Sequence, residues 1–444
     1  MFDDGLFGPS AEPDEPTPDE LLLGACVRVE VELLGALHDA GLVDAGADGP
    51  PDARLRAALE RDWPAPGDLA GRMRAGGNLA IPLVADLLDA APEDLRAWVH
   101  LGATSQDVVD TAQALLLKEA LRRVAADLAG GATAAAELAV RHAATARVGR
   151  TLGQAAVPTT FGLTCAGWAV GLDRAARAAR VAAEDLALSL AGAAGTAGVH
   201  GASWEAVATA LGRRLDLPVP DAPWHTERSR VRAAAAALAG ASAAAAKVGT
   251  DVAALAVTEV GELTEGGAGG SSAMPHKRNP VRSALLRAAG MRAPGLLSTV
   301  FAAALAENER ATGAWHAEWQ PLADLVRLGR GSAERVTELL DRLDVDEVSM
   351  SENLDAARPH VMSEALSTAL APRLGRSAAQ RAVAEALSPT HGRPPTDEEV
   401  RAALRSAVGD APELDDPALL EPERALSAVP GLIERALRSL KENS

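Results

Sequence analysis

Residues 113–147 read QALLLKEALRRVAADLAGGATAAAELAVRHAATAR, without a single proline. Alanine has the highest helix propensity and the smallest core side chain, so the stretch predicts one helix of about 35 residues that packs at close range. Only the pair Gly130 and Gly131 weakens it. Working outward, a second long run follows Pro158, a third extends from near Thr226 to about Val260, and two more occupy 281–308 and 321–342. Several of these exceed the ordinary 8 to 20 residues, which points to an elongated bundle. From Asp19 to about Asp110 the helices are short and broken by Ala47–Pro51 and Trp63–Gly67. After about Val345 they shorten again, with a Pro-rich break at Ser388–Thr396. Val/Ile/aromatic runs with period-two alternation are nearly absent, so a sheet fold is not expected. The expectation is an all-α chain of three helical domains, 19–110, 111–345 and 346–444, behind a flexible acidic leader at 1–18. Thr17, Pro18, Asp19 and Glu20 read as an N-cap, a first-position proline and a capping-box glutamate, so a helix should start there.

Composition bounds the function. The 444 residues are 48% hydrophobic and 23% charged, which is the balance of a folded chain. There is no tyrosine, only four phenylalanines, and a net charge of −18. A nucleic-acid partner is therefore not expected, since stacking and phosphate attraction are both missing. Cys26 and Cys165 form no CxxC or Cys/His spacing, so neither a disulfide framework nor a metal site is read. The acidic N-terminus has no export pattern, and uncharged stretches such as Ala233–Ala246 fall short of a membrane span. The expected setting is the cytoplasm, with no membrane partner.

Three segments carry chemistry. Glu265–Pro280 reads EGGAGGSSAMPHKRNP. Glycines at 266, 267, 269 and 270 loosen the backbone, while Pro275 and Pro280 stiffen it around His276, Lys277 and Arg278, so a serine pair is tied to a fixed positive patch. By composition alone this is also an ordinary solvated loop. His100–Thr111 reads HLGATSQDVVDT. Thr104 and Ser105 offer two hydroxyls just before a long helix, whose amides and partial charge favour a carboxylate. Gly149–Gly162 reads GRTLGQAAVPTTFG, with Leu152 following a threonine.

The string GSSxMPxKxNP at 270–280 is the signature of the fumarase/aspartase superfamily, which the chain resembles. HLGATSQDVVDT resembles that superfamily's first motif, and the Gln106 form resembles its carboxymuconate cycloisomerase branch. Further segments similar to that branch are AGGNLAIPLV at 75–84, PTTFGLTCAGW at 158–168, AGAAGT at 191–196, WHTERSRV at 224–231 and ERATGAWHAEW at 309–319. The resemblance spans about residues 20–440, supported only by general pattern in the last fifth. It implies Ser271 as the base that moves a carbon-bound proton. Lys277 and Asn279 match residues that bind and stabilise a substrate carboxylate, and Thr104, Ser105 and Gln154 would hold others. Asn78 and His100 are further candidates, and Arg310 a cationic contact. Asn308 stands where a histidine is expected. Trp204, Trp315 and Trp319 are read as core or interface residues.

Several relatives place a histidine at the position of Leu152, where it serves as general acid or in charge relay. Leucine cannot shuttle protons. An amine or hydroxide leaving group needs protonation, whereas a carboxylate, with a solution pKa of about 4, leaves as the anion. The resemblance thus implies reversible cycloisomerisation of 3-carboxy-cis,cis-muconate and 4-carboxymuconolactone in protocatechuate catabolism. It also implies a homotetramer with shared active sites, a small polycarboxylate substrate, and no metal or organic cofactor. A lyase acting on another succinate derivative remains open, either nitrosuccinate or, less in keeping with Leu152, adenylosuccinate. So does a silent structural relative of the crystallin kind, against which intact Ser271, Lys277 and Asn279 argue.

Overall fold

The computed structural model describes residues 18–62, 66–267, 274, 277–389, 395–409 and 411–441. The chain is built from helices, as the alanine-rich runs require. In order these are α1 (Pro18–Asp39), α2 (Pro51–Asp62), α3 (Pro66–Gly76), α4 (Ala80–Ala90), α5 (Ser105–Arg141), α6 (Phe161–Asp185), α7 (Trp204–Leu215), α8 (Ser229–Leu255), α9 (Val281–Ala303) and α10 (Ala314–Asp341). Six shorter ones follow: α11 (Glu347–Ala357), α12 (Ser363–Leu374), α13 (Arg376–Ala386), α14 (Asp397–Val408), α15 (Pro422–Ala425) and α16 (Val429–Lys441). Among the described residues there are also four short 3-10 turns and two small antiparallel pairs: β1 (Ala146–Thr151) with β2 (Gln154–Thr160), and β3 (Leu263–Glu265) with β4 (Leu343–Val345). Residues 1–17 of the expected leader, including the Thr17 cap, lie outside the described residues, and Pro18 is already helical.

Backbone contacts divide the chain into two compact units. Of the described residues, one holds those within 18–127, 175–243 and 288–334; the other holds those within 128–174, 244–287 and 335–441. The boundaries fall inside the five long helices, so each of these helices contributes residues to both units. Within the second unit a Cβ on Gly131 would stand 3.0 Å from the Thr337 hydroxyl and 3.4 Å from Leu172. The glycine that weakens α5 as an isolated helix is thus the one that lets α10 and α6 approach it. A core of Leu354, Leu366, Leu370, Val383, Val400 and Leu404 occupies the C-terminal part of that unit. By length and composition α8 would reach across a bilayer, but 56% of its most apolar window is buried in the protein.

Several boundaries differ from the expectation, among them the ends of α8 (Leu255 rather than about Val260) and α9 (Ala303 rather than 308). α5 starts at Ser105 rather than 113, because Thr104 and Asp107 cap it. It stops at Arg141 rather than 147, and the chain turns into the β1–β2 hairpin. Leu152 and Gly153 form its tip with φ of +51° and +78°, the left-handed pair that two-residue hairpins require. Gly149 is needed there too, since a Cβ would lie 2.5 Å from the Val157 carbonyl. Finally, α10 begins at Ala314 and carries Pro321 in its interior, seven residues after the start, rather than at its first turn.

Candidate active site

The first unit gathers three of the quoted segments around the N-terminus of α5. Asp107 is the organising group, buried to 1% exposure. Its Oδ2 accepts from the amides of Thr104 (3.0 Å) and Gly192 (2.9 Å). Its Oδ1 accepts from Ser189 Oγ (2.7 Å), the Ala191 amide (3.1 Å) and His225 Nε2 (2.7 Å). Burial pushes this carboxyl upward, yet the His225 contact and the other donors outweigh it and hold the pKa below the usual carboxylate value. The bond to Thr104 is half of a capping box, in which the third helical residue reaches back to the cap amide. Asp107 thereby fixes the turn that displays the half-buried Thr104 and Ser105.

The residue before Asp107, buried Gln106, is tied on both sides. Its amide nitrogen donates to Asp110 Oδ2 (3.0 Å) and to the His225 carbonyl (2.8 Å), while its Oε1 accepts from Arg310 Nη1 (3.0 Å). Arg310 spends its other terminal nitrogen on the Ala193 carbonyl at 2.9 Å. Arg310 therefore braces the α5 turn against the loop that begins at Ala191. Asp110 in turn accepts from Arg228 at 2.6 and 3.2 Å and from Trp315 Nε1 at 2.9 Å. Arg228 also bonds Glu318 through Nη2, and its guanidinium lies 5.0 Å over the Trp224 ring. Burial opposes its charge, but the two flanking carboxylates prevail and raise its pKa.

Other expected residues of this unit sit nearby in the chain but are used locally. His100 adopts φ +60° and pairs through Nδ1 with buried Glu30 at 2.6 Å. Burial disfavours its charge, but Glu30 more than offsets this and raises its pKa. Asn78 accepts from the Ile81 amide (3.3 Å) and donates to the Gly76 carbonyl (3.3 Å), so it caps the start of α4. Asn308 has φ +53°, a conformation asparagine tolerates, and its carbonyl accepts from Thr226 Oγ1 at 2.9 Å. Trp315 is core, as read from the sequence.

The remaining expected residues belong to the second unit. Gln154 is exposed at the start of β2, and Leu152 beside it is fully solvent-accessible at the hairpin tip (102% exposed). Ser271 lies outside the described residues. Lys277 is exposed and Asn279 half-buried just before α9. Glu265, which the sequence reading passed over, accepts from the amides of Arg282 (2.9 Å) and Ser283 (2.8 Å). Its carboxylate thus caps α9 and ties β3 to the start of that helix, just after Lys277 and Asn279. Among the described residues no cluster of His, Cys, Asp or Glu is placed to hold a metal ion.

Chemically, the first unit displays amides and hydroxyls at the positive end of a 37-residue helix, a natural carboxylate cradle. The second unit, taken by itself, carries a cation and an amide, Lys277 and Asn279, just before α9. Residues 73–295 match the model of a family described as Lyase. The chain is 40% identical to a 3-carboxy-cis,cis-muconate cycloisomerase of Bradyrhizobium diazoefficiens, over 96% of this chain and 95% of that one. It is 38% identical to a nitrosuccinate lyase of Streptomyces davaonensis, over 98% and 95%. In structure it is similar to the 3-carboxy-cis,cis-muconate lactonizing enzyme of Pseudomonas putida, with a TM-score of 0.82, 37% identity and 95% of each chain covered. With near-complete coverage at that identity, and with the signature string intact, the chain belongs to the lyase family of the fumarase/aspartase superfamily.

Proposed function

We propose that the protein interconverts 3-carboxy-cis,cis-muconate and 4-carboxymuconolactone. In the lactone-forming direction a substrate carboxylate oxygen bonds to an alkene carbon, and a proton is delivered to the neighbouring carbon, alpha to a second carboxylate. In reverse, Ser271 removes that proton, the C–O bond breaks, and the carboxylate departs as an anion. Lys277 and Asn279 hold the carboxylate on which negative charge grows, and Thr104, Ser105 and Gln154 hold the others. A free serine hydroxyl is a weak base, so Ser271 depends on surrounding amides and on Lys277 for activation. His100, Asn78 and Arg310 support the same site.

The observation that carries this reading is Leu152. It occupies the hairpin tip with its side chain fully exposed (102%), at a backbone angle that costs a leucine strain. A proton donor there would be useful to an enzyme that expels a base; an apolar residue suits one that expels a carboxylate. Leu152→His should accordingly give no rise in kcat, which steady-state assays read directly. A gain of tenfold, about 1.4 kcal/mol of barrier, would contradict the explanation.

Nitrite is also a weakly basic leaving group, and the 38% identity to a nitrosuccinate lyase supports that as the second reading. Ultraviolet assays of the purified protein with carboxymuconate, nitrosuccinate and adenylosuccinate separate the two. The first reading predicts that carboxymuconate is converted with much the highest kcat/KM.

The same proposal includes a cytoplasmic homotetramer with shared sites. Exposed apolar side chains on the long helices, such as Met291 (72%) and Val181 (71%), support burial between subunits. Sedimentation should give about four chains per particle; a fully active monomer would refute it. The three-domain division at 19–110, 111–345 and 346–444 belongs to the proposal as well; the core of Leu354, Leu366, Leu370, Val383, Val400 and Leu404 lies beyond its last boundary, although Val148 of β1 packs into the same cluster.

A further inference from the structure

His200 lies in the loop between Ala191 and α7, and its ring presses against Gly102 of the HLGATSQ segment. A Cβ on Gly102 would stand 2.1 Å from His200 Nε2 and 2.5 Å from Cε1, so Gly102, at φ +75°, is the residue that admits the imidazole. The side chain is buried (7% exposed). Neither ring nitrogen meets a hydrogen-bond partner among the described residues. This is unlike His100 and His225 in the same unit, each of which is paired with a carboxylate. Burial lowers the His200 pKa, with Asp107 acting the other way, so the ring is neutral near pH 7 and offers one donor and one acceptor.

Two orphaned nitrogens at a helix N-terminus cost stability, and a group kept at a cost beside a carboxylate cradle is a candidate for ligand contact. The loop that carries it turns tightly, with Gly192, Gly195, Ala197 and Gly201 all at left-handed angles between +50° and +74°, and this holds the imidazole beside Gly102. We propose that His200 is a specificity residue that turns its N–H onto a carboxylate of a polycarboxylate ligand held over Gly102, Thr104 and Ser105. The inference rests on the polycarboxylate reading of the site.

The test uses the full-length protein and propane-1,2,3-tricarboxylate as an unreactive probe, with calorimetric titration and thermal melting of the wild type, His200→Leu and His200→Asn. A hydrogen bond to a charged group lost from the site predicts binding weakened about tenfold to a hundredfold in His200→Leu. The same variant should melt no lower than the wild type, since it removes buried nitrogens that had no partner, and His200→Asn should regain part of the affinity. If His200→Leu binds the probe as tightly as the wild type, or loses binding only together with a lower melting temperature, the ring is structural and the inference fails while the polycarboxylate reading stands. A wild type that does not bind the probe overturns that reading, and this inference with it.

Discussion

Replacing Arg228 with leucine is expected to destabilise the protein by about 3 to 5 kcal/mol, because the change strands two buried carboxylates. Arg228, Asp110 and Glu318 are each no more than 3% exposed, and one guanidinium serves both acids. Arg228→Lys should recover little, since an ammonium cannot present two parallel donors to one carboxylate while bonding another. The loss should depend on pH with a defined sign. Burial already holds the Glu318 carboxyl above its ordinary value despite Arg228, and removing the cation raises it further. An acid whose folded pKa lies above its unfolded pKa costs stability as pH rises through the folded value, so the penalty should be largest near neutrality and shrink toward acid. Urea unfolding of wild type and variant across that range checks both points. An unchanged midpoint would mean that the buried network does not hold the start of α5.

Ser271→Ala is expected to lower kcat by ~100- to 10,000-fold, the usual cost of losing a general base, while KM changes little. The substitution removes the proton-transfer oxygen and leaves Lys277 and Asn279 in place. Lys277→Met should damage both kcat and KM, since it withdraws a charge from a site that holds an anion in the ground state and a more concentrated one in the transition state. The contrast between the variants, rather than either loss alone, separates base from binder. Should Ser271→Ala retain full turnover, Ser272 or His276 would become the base to examine.

The helices were readable wherever local physics dominates. Alanine-rich, proline-free runs placed α6, α8 and α9 to within about five residues at the ends that were read, because propensity and packing point the same way there, whereas α5 was read as 113–147 and runs from Ser105 to Arg141. The misses lie where context overrides it. Pro321 was read as a start but sits inside α10, and the β1–β2 hairpin escaped notice because Leu-Gly is a weak turn signal. At the site, HLGATSQDVVDT, WHTERSRV and ERATGAWHAEW are each legible as separate motifs. That Asp107 meets His225 118 residues away, and that Gln106 meets Arg310 204 residues away, is a product of tertiary packing that no local pattern encodes. Arg310 and Asn78 were read as ligand contacts, whereas the hydrogen bonds described for both run to their own unit.

The most direct test of the account is turnover of 3-carboxy-cis,cis-muconate in deuterium oxide by the wild type and Ser271→Ala, followed by NMR of the lactone. Proton delivery to carbon coupled to carboxylate addition predicts one deuterium at the ring-adjacent carbon that accepts the proton in the wild-type product, with Ser271→Ala forming little lactone and incorporating little label. Lactone formed without deuterium at that carbon, or labelled lactone formed at the wild-type rate by Ser271→Ala, would contradict it.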